Sequence, residues 1–201
     1  MTVGVLTLQD TFNRANAVLN GAAGSDGNSW AGTTNFDVVS NQAHVIASAS
    51  GMIAYGATSY ADAWVEAVYI SGSGHGPGIR LNTATTTGII TFVTGGKVRV
   101  YEFLNGVSNN LGTGSTTLNA NDRFALYGNG SSVSTYINDT LEATYTTTIL
   151  TAGKPGLYGE VADALLDLFK VYVATAGGAI GGFQQSPFVE PVQAVAWRGG
   201  I

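Results

Sequence analysis

Short stretches rich in Val, Ile, Thr, Tyr and Phe recur along the 201-residue chain with period-two alternation, and each is closed by Gly, Asn, Asp or Ser. Such alternation sends successive side chains to opposite faces of a strand, and the closing residues tolerate the backbone angles of tight turns. A 3.6-residue apolar period is almost absent, so helices are not expected to build the core. The spacing predicts strands over residues 36–39, 43–48, 61–70, 78–82, 88–94, 97–104, 123–127, 133–138, 141–146 and 165–173. Residues 160–173 could set Val161, Leu165, Phe169 and Tyr172 on a helical face, but the ending Phe169, Val171, Tyr172, Val173 favours a strand. Gly95-Gly96, Gly128-Asn129-Gly130 and Asn138-Asp139 supply hairpin turns. Antiparallel strands at this spacing, with no helices between them, predict an all-β sandwich or barrel.

Two of these strands are apolar on both sides. Ala63, Val65, Ala67 and Tyr69 alternate with Asp62, Trp64, Glu66, Val68 and Ile70; Val98, Val100, Glu102 and Leu104 alternate with Lys97, Arg99, Tyr101 and Phe103. One face then packs a core and the other forms a semi-polar surface or groove.

Composition removes several functions. Charged residues are only 10% of the chain and the formal net charge is −5, with no basic cluster, which argues against nucleic-acid binding. No apolar run is long enough to span a bilayer, and the opening MTVGVLTLQDTFNR has no basic segment before its apolar stretch, so neither membrane insertion nor a secretory signal is expected. There is no Cys and there are two His, His44 and His75, which excludes disulfides and thiol chemistry and leaves little for a zinc site.

Character changes after Val173. Residues 174–201 begin with a Gly-rich hinge and continue through Phe183, Phe188, Val189, Val192, Val195 and Trp197, broken by Pro187 and Pro191. Ordering a backbone costs about 1–2 kcal/mol per residue, and burying each aromatic returns only about 1.5–3 kcal/mol. The segment therefore reads as a linker and docking arm that needs a surface to order on, and the expected organisation is a sandwich over residues 1–173 and an arm over 174–201.

Few residues are placed for chemistry. Glycoside hydrolysis needs two carboxylates about 5–9 Å apart, whereas Asp62 and Glu66 on one extended strand would stand about 13 Å apart. Glu160 and Asp163 are a weaker pair. The stretch Ser71-Gly72-Ser73-Gly74-His75-Gly76-Pro77-Gly78 lacks the Lys-Ser/Thr ending of a phosphate loop, so His75 is expected to be an exposed loop histidine. Asp26-Gly27-Asn28 has the oxygen spacing of a calcium loop without the bidentate acid that should follow, which favours a polar turn and leaves Ca²⁺ the only cofactor with any support. A sugar platform needs an aromatic ring beside hydrogen-bonding groups, and Arg80, Arg99 and Tyr101 could supply one if their strands are neighbours.

Five segments, in this order, resemble the concanavalin A-like (laminin G-like) jelly-roll domains that recur in phage structural proteins and bacterial surface proteins. They are Asp10-Thr11-Phe12-Asn13-Arg14-Ala15-Asn16 with a following Asn28-Ser29-Trp30; Gly76-Pro77-Gly78-Ile79-Arg80-Leu81; Gly95-Gly96-Lys97-Val98-Arg99-Val100-Tyr101; Val133-Ser134-Thr135-Tyr136-Ile137-Asn138; and Ala152-Gly153-Lys154-Pro155-Gly156-Leu157 leading to Leu166-Asp167-Leu168-Phe169. The resemblance spans residues 8–173. It implies an antiparallel jelly-roll sandwich whose first and last strands pair, bringing Asp10-Thr11-Phe12 beside Asp167-Leu168-Phe169. The E-x-D-x-x-E strand of the glucanases that share the fold is missing. Together with the arm, the resemblance implies a non-enzymatic virion structural protein of a tailed bacteriophage, a capsid decoration or minor tail protein that attaches to neighbouring virion proteins as a homo-oligomer or within a lattice. The alternative is a carbohydrate-binding module that recognises host glycans through Arg80, Arg99 and Tyr101; a divergent glycosidase using Glu66 and Glu102 comes third.

Overall fold

The computed structural model describes residues 4–46, 48 and 50–173. Fifteen strands are found among them: β1 (Val5–Asp10), β2 (Trp30–Gly32), β3 (Phe36–Val39), β4 (Gln42–Val45), β5 (Gly51–Tyr55), β6 (Ala63–Ser71), β7 (His75–Asn82), β8 (Thr87–Thr94), β9 (Lys97–Leu104), β10 (Val107–Thr117), β11 (Arg123–Asn129), β12 (Ser132–Ile137), β13 (Thr140–Thr146), β14 (Lys154–Gly159) and β15 (Leu165–Val173). An eight-stranded sheet runs β13-β12-β11-β6-β15-β4-β3 with β1 also on β15, and a seven-stranded sheet runs β10-β9-β8-β7-β14-β5-β2. Every pairing is antiparallel, so the fold is an all-β jelly-roll sandwich.

Alternation builds the core. Val65 and Ala67 of β6, Phe124 and Leu126 of β11, Ile89 and Val93 of β8, and Val98 and Val100 of β9 all point between the sheets into one apolar cluster. Removing each large side chain from water stabilises the fold by about 1.5–3 kcal/mol. Two of the turns are as expected: Gly95 and Gly96 have φ of +56° and +73°, and Asn138 and Asp139 have +48° and +67°, the left-handed angles that two-residue hairpins need, whereas Gly128 and Asn129 end β11 and the third turn falls at Gly130-Ser131.

The first and last strands do pair, with Asp10 opposite Phe169 and Val5 opposite Val173. Strand β15 serves two neighbours on that side, β4 at Leu165 and Leu166 and β1 beyond Phe169, and the changeover falls at Leu168, whose φ is +45°. The Asp10-Thr11-Phe12-Asn13-Arg14 opening now has a structural explanation. The fully buried Asp10 carboxylate accepts from both terminal nitrogens of Arg14 at 2.8 Å, from the Phe12 amide at 2.8 Å and from Trp30 Nε1 at 2.7 Å. A buried charge is tolerated when it is paired and saturated with donors in this way.

Two expectations need correction. The Gly-rich stretch around His75 is not all loop: β7 begins at His75, and the imidazole is fully buried, stacked on Tyr69 with ring centres 5.8 Å apart. Burial lowers its pKa to about 4. The sequence pattern also missed β1, β2, β5, β10 and β14, of which only β1 was implied by the resemblance. The expected arm, with Phe183, Phe188, Val189, Val192, Val195 and Trp197, lies outside the described residues.

Candidate functional site

A sheet face turned away from the core is expected to be polar. The far face of the seven-stranded sheet is not. Met52 of β5, Leu81 of β7, Ile90 of β8, Phe103 of β9 and Tyr158 of β14 form a second apolar cluster there, joined by the half-buried Phe92 and Tyr101. These are the alternates of the core residues: Ile89 and Val93 face inward while Ile90 and Phe92 face outward, and Val98 and Val100 inward while Tyr101 and Phe103 face outward.

The rings are arranged around a space. Phe92 meets Tyr101 edge-on at 5.7 Å, Tyr158 lies 6.2 Å from Phe92 and 5.4 Å from Phe103, and together they border a hollow of about 210 Å³. Ile90 also lines it, and Ser108 and Glu160 bring polar atoms to it. The Tyr158 hydroxyl donates to Glu160 Oε2 at 2.5 Å and sits 3.1 Å from Ser50 Oγ, which donates to the same carboxylate at 3.3 Å. Burial and the Glu160 carboxylate both push the Tyr158 phenol well above its ordinary pKa, so it stays a neutral donor.

Of the three residues expected to form a sugar platform, the structure brings two together. Arg99 and Tyr101 share the outward face of β9, and Arg99 pairs in register with Phe92. Arg80 does not join them. Its φ is +54°, the β7–β8 register breaks between Ile79 and Asn82, and the buried guanidinium donates instead to the carbonyls of Ala61 (2.7 Å), Ile149 (2.5 Å) and Gly130 (2.7 Å), with Asp62 at 3.4 Å. Its donors are consumed in tying loops at one end of the sandwich. Burial lowers the Arg80 pKa and the Asp62 charge opposes that shift.

The remaining polar candidates are likewise engaged. Asp26 accepts from the Gln9 amide at 2.7 Å, the Asn28 amide at 2.9 Å and the Tyr55 hydroxyl; these bonds outweigh the burial that would raise its carboxyl and hold its pKa low. These three bonds hold the Asp26-Gly27-Asn28 turn against β1 and Tyr55. Glu102 lies on the core side of β9, taking Thr147 Oγ1 at 2.8 Å, the Thr148 amide at 3.1 Å and Asn109 Nδ2 at 3.1 Å. Burial would raise its carboxyl, and these donors lower it instead. Glu66 belongs to the other sheet, where it accepts from Trp64 Nε1 at 3.0 Å. Asp163 is 93% exposed and lies 3.5 Å from His44. Among the described residues, no group of three or more His, Asp and Glu side chains could hold a metal ion.

Sequence reasoning missed Ile90, Phe92, Phe103, Tyr158 and Glu160 as parts of the site. A signal for the first three was present, since their strands are apolar on both faces.

No family model and no curated protein matches the sequence. The likeness is structural. The carbohydrate-binding module CBM66 of Bacillus subtilis aligns over 79% of this chain and 95% of its own, with 19% identity and a TM-score of 0.54. A tryptophan-to-alanine mutant of HCR/D aligns over 86% of this chain and 48% of its own, with 14% identity and a TM-score of 0.52. A tail fiber protein from an E. coli phage aligns over 71% of this chain and 17% of its own, with 17% identity and a TM-score of 0.45. The first two agree with the strand order and sandwich core in assigning the chain the concanavalin A-like jelly-roll fold.

Proposed function

We propose that the protein is a non-enzymatic carbohydrate-recognition module that binds a glycan on the outer face of its seven-stranded sheet. The observation that carries this reading is the hollow bordered by Phe92, Tyr101, Phe103 and Tyr158 beside Glu160. A pyranose ring offers an apolar face and a polar rim; Tyr101 would stack on the first, and Glu160 and Ser108 would hydrogen-bond the second. The Bacillus subtilis neighbour is a carbohydrate-binding module, so this fold can carry such an activity, but the reading for this chain rests on the hollow. Hydrolysis would ask for two facing carboxylates. Glu160 is the carboxylate that lines the hollow, and Glu66 and Glu102 belong to other faces.

The test is a glycan array with the full chain, repeated with Tyr101→Ala. Binding should appear for the wild type and weaken by about tenfold in the variant, the loss expected for one aromatic contact. No binding to any glycan would contradict the reading.

A second reading, a structural role in a tailed-phage virion as a capsid decoration or minor tail protein, is favoured by the apolar, Pro-broken segment 174–201. The arm would contact neighbouring virion proteins, and the glycan face would remain available to the host surface. Deleting residues 174–201 should abolish incorporation into particles while leaving the sandwich folded; unchanged incorporation would contradict it.

A further inference from the structure

The chain has eight Lys and Arg residues against thirteen Asp and Glu, so a basic side chain has many carboxylates to choose from. Most find one. Arg14 pairs with Asp10, Arg80 with Asp62, and Arg123 with Glu66 and Asp139. Lys170 stands opposite Glu66 in the β15–β6 register. The other three cations among the described residues, Lys97, Arg99 and Lys154, have no carboxylate within 4 Å in that set. All three belong to the seven-stranded sheet.

Their side chains share the face that bears the hollow. Lys97 and Arg99 precede Tyr101 at two-residue steps on β9, and Arg99 is cross-strand neighbour to Phe92. Its Nε is buried without a hydrogen-bond partner among the described residues. Lys154 lines a second hollow of about 250 Å³ with Asn82, Thr83 and Ser59. Leu81 joins the two hollows: it borders the second and packs in the same cluster as Ile90, Phe103 and Tyr158. Between Arg99 on β9 and Lys154 on β14 lie two strands, about 14 Å across the sheet at 4.7–4.9 Å per step. A single sugar ring does not reach that far, whereas an oligosaccharide does. On the negative side, Glu160 faces the aromatic hollow, where the Tyr158 and Ser50 hydroxyls hold it.

Unpaired cations gathered on one face of an acidic protein make a local positive potential where a diffuse negative one would be expected. We infer that this face takes an acidic glycan, an oligosaccharide bearing carboxylate or sulfate groups, which Arg99 and Lys154 engage at separate positions while the Phe92–Tyr101 hollow holds a ring between them. The inference rests on the carbohydrate reading of the same face and adds the ligand class to it. Arg99 offers a planar fork to an oxyanion, and Lys154 a point charge in a pocket that also has amide and hydroxyl groups.

Matched glycan pairs test it: oligogalacturonate and its methyl ester, sialylated and desialylated oligosaccharides, sulfated and unsulfated chains, each titrated into the full chain. The acidic member of at least one pair should bind at least tenfold more tightly than its neutral partner, and that advantage should shrink as NaCl rises toward 1 M. Arg99→Gln and Lys154→Gln should each weaken acidic binding about five- to tenfold and leave the neutral partner unchanged, while Lys154→Arg retains the preference. Neutral members that bind as well as acidic ones, with loss in Tyr101→Ala, would overturn the inference and leave the carbohydrate reading standing. Failure of both members of every pair would overturn the inference, and a blank glycan array besides would remove the carbohydrate reading with it.

Discussion

The two outer faces of the sandwich both carry aromatic side chains, but they treat their polar groups in opposite ways. On the eight-stranded sheet, Trp64 packs against Tyr136 at 4.6 Å and Tyr127 at 6.3 Å, and its Nε1 donates to Glu66. Arg123 lies between Glu66 and Asp139 and contacts both. Trp64 and Glu66 are 2% and 4% exposed, so the rings here are packed against their neighbours and the cation is paired. On the seven-stranded sheet the rings stand around a hollow, and Lys97, Arg99 and Lys154 have no described carboxylate near them. Aromatic residues on a sheet face are therefore not in themselves a site. What separates the two faces is space between the rings together with charge left unneutralised on one of them.

Substitutions that strike one face and spare the other sharpen this contrast. The largest effect is expected from Trp64→Ala, which empties a fully packed position and should cost about 3–5 kcal/mol of stability in denaturant unfolding, with glycan affinity unchanged wherever the variant is folded. Affinity lost in proportion to stability would mean that the two faces are one unit. Arg80→Met leaves three loop carbonyls without their donor and should cost about 2–4 kcal/mol with no change in glycan binding. A selective loss of binding would return Arg80 to the proposed sugar site.

A smaller effect is expected from pH. The His75 pKa is about 4 in the folded chain against 6.5 unfolded, because burial disfavours the imidazolium. The unfolded chain therefore takes up the proton first. Stability from this group is complete above about pH 6.5 and declines as pH falls toward 4, by at most about 1.4 kcal/mol per pH unit. Unfolding midpoints measured from pH 7 to 5 should fall in the wild type and stay level in His75→Phe; equal slopes would show that other groups govern the response.

Most of the architecture was legible in the sequence because alternation and turn chemistry are local signals. The strands around Val65, Val100 and Leu126 follow directly from them, and so does the Gly95-Gly96 hairpin. What was hidden depends on tertiary crowding. Strand β14, Lys-Pro-Gly-Leu-Tyr-Gly, looks like a turn, yet a Cβ on Gly156 would fall 2.0 Å from the Ile53 carbonyl oxygen, so glycine there marks close strand packing. Strand β10 is polar because it is the last strand on its edge of the sheet, with most of its residues exposed. Gly76 lies against Thr91 and Phe124 for the same reason as Gly156, which is how a Gly-rich stretch could bury His75. Arg80 misled because a left-handed residue within a strand turns its side chain away from the face that alternation assigns. The site was half legible. Arg99 and Tyr101 follow from the alternation of one strand, whereas their meeting with Phe92 and Tyr158 needs the β9-β8-β7-β14 order, which no local pattern contains.

The central claim is that the half-buried rim of the aromatic hollow, Tyr101 above all, serves to bind a ligand rather than to hold the fold together. Its most direct test is a calorimetric titration of the best array glycan into the full chain and into Tyr101→Ala, with the thermal midpoint of each protein measured alongside. The account predicts affinity weakened about tenfold at Tyr101→Ala and a midpoint that falls much less than that of Trp64→Ala, because Tyr101 is only half-buried. Unchanged affinity, or a midpoint that falls as far as that of Trp64→Ala, would contradict it.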